Sequence, residues 1–235
     1  MTPDVGAGDR PRNPYATPLD AAAVPPYVPF GMVSLCPSAA LKGRPRAFDL
    51  DDALAAALRV FWQHGYESAS MAELTAAMGI TKPSLYAAFG NKEALFHKAM
   101  DLYEREKLAY ISTALEAPTA RGVAERLLRG ALELQTCAGN PKGCLGVIAT
   151  VSCGAEAESI KAEVIARRAS SQAALLRRFA EAEAAGELPE GMTPDALAQY
   201  LFALLAGLTI QAGAGASCSQ LDTLVDTAMA MWPTR

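Results

Sequence analysis

The sequence predicts an all-α protein, with a three-helix helix-turn-helix unit towards its N-terminus and a larger helical domain behind it. Ala and Leu dominate a chain that is 51% apolar, and β-branched residues are sparse, a balance that favours helices over strands. Apolar residues recur at helical spacing in segment after segment. Each early segment also opens on a residue able to cap a helix and closes on glycine. At 235 residues, the chain has room for one large domain or two small ones.

Residues 1–43 are Pro-rich and lack a helical period, which predicts a disordered leader. Met32 within it offers an alternative start. A first helix is expected from about Asp49 to His64. The Asp49 carboxylate can accept its free backbone N–H groups, and Leu50, Leu54, Leu58 and Phe61 form its apolar stripe. Gly65 ends it. A second helix starts at Ser70, where Ser70 and Glu73 make an S-x-x-E capping box. Met71, Leu74 and Met78 face inward, and Gly79 permits the left-handed turn that follows.

The third helix is expected from about Lys82 to Phe89. Thr81 caps it, and Pro83 lies in the first turn, where a missing N–H costs nothing. Leu85, Ala88 and Phe89 point inward; Lys82, Ser84, Tyr86 and Ala87 point away. Gly90 stops it, and Asn91 caps a fourth helix expected to continue to about Leu115. Further helices are expected near 119–138, 144–153, 157–185, 194–213 and 219–232, the Thr193-Pro194-Asp195 triplet being a clear helix start. The 194–213 segment carries two apolar stripes, one of Leu197, Leu201, Leu204 and Leu208, the other of Tyr200, Ala203, Gly207 and Ile210. A helix apolar on two sides must be buried on both, so one side is expected to meet a partner subunit. Leu221, Leu224, Val225, Ala228 and Trp232 are expected to complete that surface.

The stretch Ser70–Phe89 is the most specific in the chain. Two short helices meet at a tight glycine turn, and the second presents hydroxyls and a lysine at its front end. That layout suits a helix whose N-terminus enters the major groove of DNA. Lys82 suits a phosphate or a guanine; Thr81 and Ser84 suit phosphates or base edges; the Tyr86 hydroxyl can reach a phosphate. The backbone N–H of Ser70 is expected to hold a phosphate at the second helix start. Arg44 and Arg46 could enter the minor groove as an arm.

Charge agrees in sign. The net charge is −4, which excludes a wholesale polycation, so a nucleic-acid face must be local. Residues 42–98 carry seven bases and six acids and are the positive segment. Within them Lys42–Arg46 holds three bases and no acid.

The run ALAAALRVFWQHGYESASMAELTAAMGITKPSLYAAFGNKEALFHKAM, within about residues 46–103, resembles the DNA-binding domain of TetR-family transcriptional regulators. Its specific parts are F-x-x-H-G-Y at the end of the first helix, G-I-T-K-P-S-L-Y through the turn and recognition helix, and F-G-N-K-E-A-L. The resemblance implies a helix-turn-helix DNA-binding domain over 44–107 and a helical effector-binding and dimerisation domain over 108–235. It implies a homodimer that reads double-stranded DNA at a palindromic operator, a repressor released by a small-molecule effector, and Lys92 as a phosphate-binding lysine. Many members carry an aromatic or His pair after Leu-Tyr; here Ala87 and Ala88 follow Tyr86, which implies that one family phosphate contact is missing.

Five cysteines in a chain of this length do not make a disulfide scaffold and point to a reducing cytoplasm. Ala21–Leu41 is apolar but broken by four prolines, so no signal peptide is read there. The charge-free run Ala196–Leu221 is long enough to span a bilayer, but its glutamines, glycines and alanines favour a buried helix, so no membrane partner is expected. Cys137, Cys144 and Cys153 flank a Gly-rich break. They lack a zinc spacing, and no metal or cofactor is expected. As a group they are candidate redox or electrophile sensors, with Lys142 beside Cys144 to lower its pKa; small core residues are the plainer reading. His64 and His97 form no catalytic pattern, so no enzyme is expected. Tyr103, Tyr110, Phe179, Tyr200 and Phe202 are candidates for an effector cavity or plain core. The alternatives to an effector-released repressor are a thiol-based sensor and an effector-free DNA-organising protein.

Overall fold

In the computed structural model, residues 48–152 and 157–233 are described, and among them all regular structure is helical. The leader, Arg44, Arg46 and Cys153 lie outside the described residues. Ten helices follow in order: α1 (Leu50–Ser68), α2 (Met71–Met78), α3 (Lys82–Phe89), α4 (Lys92–Lys107), α5 (Tyr110–Leu115), α6 (Ala120–Thr136), α7 (Leu145–Ser152), α8 (Glu158–Ala184), α9 (Pro194–Gly213) and α10 (Cys218–Ala230).

Local chemistry sets most of these boundaries. The Asp49 carboxylate accepts the N–H groups of Asp51 and Asp52, satisfying donors that a helix start leaves unpaired. Gly65, at φ 75°, breaks the regular path of α1 at the expected place, and one further turn follows it. Asn91 caps α4 through Ala94, and Thr193 caps α9 with Pro194 at the first position. The fourth helix is shorter than expected. It stops at Lys107, where the N–H of Leu108 reaches back to the carbonyl of Tyr103 in a wide turn, and α5 starts separately.

Two apolar cores result. The first is built on α1 to α4: Phe61, Trp62, Leu74, Leu85, Leu95, Phe96 and Tyr103 are almost wholly enclosed. It also takes in Leu145 and Ala149 of α7 and Ile160 and Val164 of α8, so the helix-turn-helix unit is packed on the body. The second core joins α6, the later part of α8, α9 and α10 around Leu128, Phe179, Leu201, Leu208 and Val225. Leu221, Val225, Ala228 and Trp232 belong to this second core instead of forming a free surface.

Phe61 lies at the centre of the first core. Its ring meets Phe96 edge-on at 5.1 Å and stacks beside Tyr66 at 6.3 Å. Phe61→Ala is expected to lower stability by about 3–5 kcal/mol, whereas Arg59→Ala, on the exposed side of α1, is expected to change it by less than about 0.5 kcal/mol. Urea denaturation of both variants checks this.

Candidate nucleic-acid interface

The turn between α2 and α3 is closed by backbone geometry. Gly79 adopts φ 65° and ψ 27°, its N–H donates to Ala76 O, and the N–H of Ile80 donates to Thr75 O. This pair of bonds satisfies the last carbonyls of α2 and turns the chain sharply. A Cβ at Gly79 would meet nothing within 4 Å, so the requirement for glycine there is the left-handed backbone itself.

The start of α2 is locked reciprocally. Ser70 Oγ accepts from the N–H of Glu73, and Glu73 Oε2 accepts from the N–H of Ser70 at 2.9 Å. These bonds hold the Glu73 carboxyl below the usual carboxylate range. The Ser70 N–H expected to meet a phosphate is therefore taken by Glu73, because a capping box uses that donor. The N–H groups of Met71 and Ala72, in the first turn beyond it, have no acceptor within the helix.

Helix α3 is anchored from beneath by Leu85, wholly buried, and by Phe89. Its outer side presents Lys82, Pro83, Tyr86 and Ala87, all exposed, with Ser84 half-buried. Tyr86 is 47% exposed, and the Lys82 ammonium lies 6.0 Å from its ring centre. Thr81 caps the helix: its Oγ1 accepts from the N–H of Ser84 and lies 2.9 Å from the Ser84 hydroxyl. The structure thus brings Thr81, Lys82, Ser84 and Tyr86 together at the front of one short exposed helix.

Lys92 stands apart from that group. Its ammonium donates to the carbonyl of Glu67 at 3.2 Å and lies 4.6 Å from the Tyr66 ring centre, an arrangement that includes a cation–π contact. Burial pushes its pKa down, with Glu67 acting the other way. Lys92 therefore ties the start of α4 to the end of α1.

Sequence reasoning missed the junction that carries the helix-turn-helix unit. The indole N–H of Trp62 donates to Gly143 O at 2.8 Å. Buried Gln135 brackets the same residue, donating to Gly143 O at 3.2 Å and accepting from its N–H at 2.7 Å. One signal was available: Gln135 is a polar residue on the apolar side of α6. Beside this junction, the Tyr103 hydroxyl donates to Cys144 Sγ at 3.6 Å, and burial followed by the nearby thiol pushes the Tyr103 phenol well above its ordinary value. Lys142, expected to act on Cys144, donates to the carbonyl of Gln135. Cys137 is exposed and Cys144 half-buried. Tyr103 and Phe179 are core residues; Tyr110 lies against Gly130, where a Cβ would come within 2.2 Å of its ring.

The family description "Bacterial regulatory proteins, tetR family" matches residues 53–99, which span α1 to α4. Over a much longer stretch, the chain is 31% identical to the HTH-type transcriptional repressor ComR of Escherichia coli, across 82% of this chain and 92% of ComR. The protein belongs to the TetR family of transcriptional regulators. The HTH-type transcriptional repressor BdcR of the same organism is 48% identical over 61 residues, covering 26% of this chain and 31% of BdcR. Among solved structures, a cysteine-substituted form of the TetR-family regulator CifR, complexed with 26-bp double-strand operator DNA, is 39% identical with a TM-score of 0.76. The match covers 81% of this chain and 100% of that one. The TetR fold thus places an N-terminal helix-turn-helix domain before a C-terminal helical domain here, and the chain is a DNA-binding transcription regulator of the helix-turn-helix type.

Because only the backbone demands glycine at the turn, Gly79→Ala is expected to cost about 1–2 kcal/mol, and Gly79→Asn less, since Asn tolerates the left-handed region. Comparing the urea midpoints of the two variants with the parent checks it.

Proposed function

We propose that this TetR-family protein is a homodimeric repressor that reads a palindromic operator and is released by a small-molecule effector. The observation that carries the reading is α3 itself. Leu85 and Phe89 are spent on the core, and Thr81, Lys82, Ser84 and Tyr86 are left together on its outer side. The helix dipole there favours phosphate, and the side chains suit base edges and backbone oxygens. Lys92 serves as a second phosphate contact while it braces α4, Ser70 places the start of α2 against the backbone, and Arg44 and Arg46 form the minor-groove arm. The repressor name of ComR and the operator complex of CifR support the same reading.

In this reading residues 44–107 form the DNA-binding domain and 108–235 the effector-binding and dimerisation domain. The partner subunit covers α9 and α10. Tyr200, Ile210 and Met231 are 37%, 58% and 71% exposed, and with Leu204 and Leu224 they leave an apolar strip on two adjacent helices. Helix α9 is long and apolar enough, by length and composition, to cross a membrane. Its inner side is packed with Leu197, Leu201 and Leu208, and a second subunit accounts for its outer side. The protein works in the cytoplasm and is not an enzyme.

A second reading rests on Cys144. Its sulfur touches Tyr103 of α4 and adjoins Gly143, the residue that holds Trp62 of α1. A carbon electrophile bonded to that sulfur, its thiol proton lost to solvent, would press on both links to the DNA-binding domain. Cys144 then acts as the sensing thiol, with Cys137 and Cys153 as further candidates.

Selection of bound duplexes from random DNA is expected to return a palindrome with half-sites about 10 bp apart or a multiple of that. Even recovery of unrelated sequences would favour a DNA-organising protein instead. Lys82→Ala is expected to weaken operator binding and lower the salt slope by about 1, measured by titration at several salt concentrations. Mild electrophile treatment is expected to modify Cys144 and to weaken operator binding; mass spectra without an adduct at Cys137, Cys144 or Cys153 would remove the thiol reading.

A further inference from the structure

Helix α8 contributes to both cores, and the change-over is polar. Ile160 and Val164 are buried in the first core, and Leu175, Phe179 and Ala182 in the second. Between them, half-buried Arg167 reaches across to α4. Its Nη2 lies 2.8 Å from Asp101 Oδ1, and its Nη1 lies 2.9 Å from Glu104 Oε2. Its Nε donates at 2.9 Å to Glu163 Oε1, one turn back on its own helix. His97, one turn before Asp101 on α4, brings Nδ1 to 2.5 Å from Glu163 Oε2 and Nε2 to 3.8 Å from Glu93 Oε1. The Nδ1 approach is an electrostatic contact without hydrogen-bond alignment.

His97, Asp101 and Glu104 follow an i, i+4, i+7 spacing, so they share one face of α4. Burial works against the charge on Arg167, but Glu163, Glu104 and Asp101 outweigh it and hold its pKa above the ordinary value. Burial raises the Glu104 carboxyl, and Arg167 pulls it back. One guanidinium therefore holds together three carboxylates from two helices. Without it these carboxylates are left near one another across the α4–α8 seam, where like charges repel.

We infer that Arg167 is a positioning residue for operator binding: its guanidinium latches α4 to α8 and so fixes the angle at which the DNA-binding domain leaves the body. The inference rests on the proposed dimer reading a palindrome. A dimer gains affinity for a full site only if its second recognition helix is already aimed when the first has bound, because the second event then has a high effective concentration. A head that has lost only this latch binds one half-site as well as a latched head does, since its side chains on α3 are unchanged. Loss of the latch therefore lowers full-site affinity alone.

The test uses the full-length protein and two duplexes, one carrying the selected palindrome and one carrying a single half-site. Arg167→Met is expected to weaken full-site binding by about tenfold and to leave half-site binding unchanged. Adding Asp101→Asn and Glu104→Gln to Arg167→Met removes the repulsion and is expected to restore much of the loss. Arg167→Lys keeps the charge without the fork and is expected to fall between the two. Far-ultraviolet circular dichroism confirms that each variant is folded. A folded Arg167→Met protein with parental full-site affinity overturns the latch, as does an equal loss on both duplexes. If the parent protein itself binds the two duplexes equally, the dimer reading fails first and takes the latch with it.

Discussion

The hydrogen bond from the Trp62 indole to the carbonyl of Gly143 is the contact around which the molecule is organised. Trp62 is almost completely buried, and its ring meets Tyr103 edge-on at 4.8 Å. A buried indole N–H needs a partner, and here the partner comes from a turn 81 residues further along the chain. That turn cannot drift, because Gln135 holds its N–H and its carbonyl from the other side. The helix-turn-helix unit is thus tied to the body by a bond that gives its buried indole N–H an acceptor from outside the unit.

From that anchor the two ends of the molecule acquire different tasks. Helices α2 and α3 are each eight residues long, too short to be stable alone. They persist because Leu74, Met78, Leu85 and Phe89 reach the first core and because caps and Gly79 fix their ends. Outside that core α3 shows Lys82, Pro83, Tyr86 and Ala87, and in the proposed function this outer front faces DNA. At the other end the second core is closed by α9 and α10, yet Ile210 and Met231 stay exposed. In the proposed function the front of α3 meets the polyanion, and the exposed apolar strip on α9 and α10 meets a second subunit.

Much of the helix-turn-helix unit was legible in the sequence because its determinants are local. The Ser70–Glu73 box, the Thr81 cap, Pro83, Gly79 and Asn91 each act within four residues, and α3 spans the expected residues. The outward set on α3 follows from the same short-range periodicity. Determinants that act across the chain were not legible. The break after Lys107 falls among good helix formers, with no Gly or Pro to mark it. Lys142 lies two residues from Cys144, yet its ammonium goes to the Gln135 carbonyl, because neighbours in sequence at a turn need not point the same way. That Lys92 also braces the end of α1, through the Glu67 carbonyl and the Tyr66 ring, could not be read from its place at the start of α4. Leu221, Val225 and Ala228 of α10, expected at a partner surface, turn into the core instead, since periodicity gives the apolar side of a helix but not what covers it.

The electrostatics of the whole molecule fit this division. A net charge of −4 would repel DNA if spread evenly, so attraction has to be concentrated where dipole, hydroxyls and lysine coincide. That coincidence occurs at the front of α3. Methylation protection on the selected operator tests it most directly, because dimethyl sulfate reports guanine N7 in the major groove. Two patches of protected guanines about 10 bp apart, or a multiple of that, with intervening bases still reactive, are the predicted result. Unprotected guanines throughout a bound operator would contradict the account.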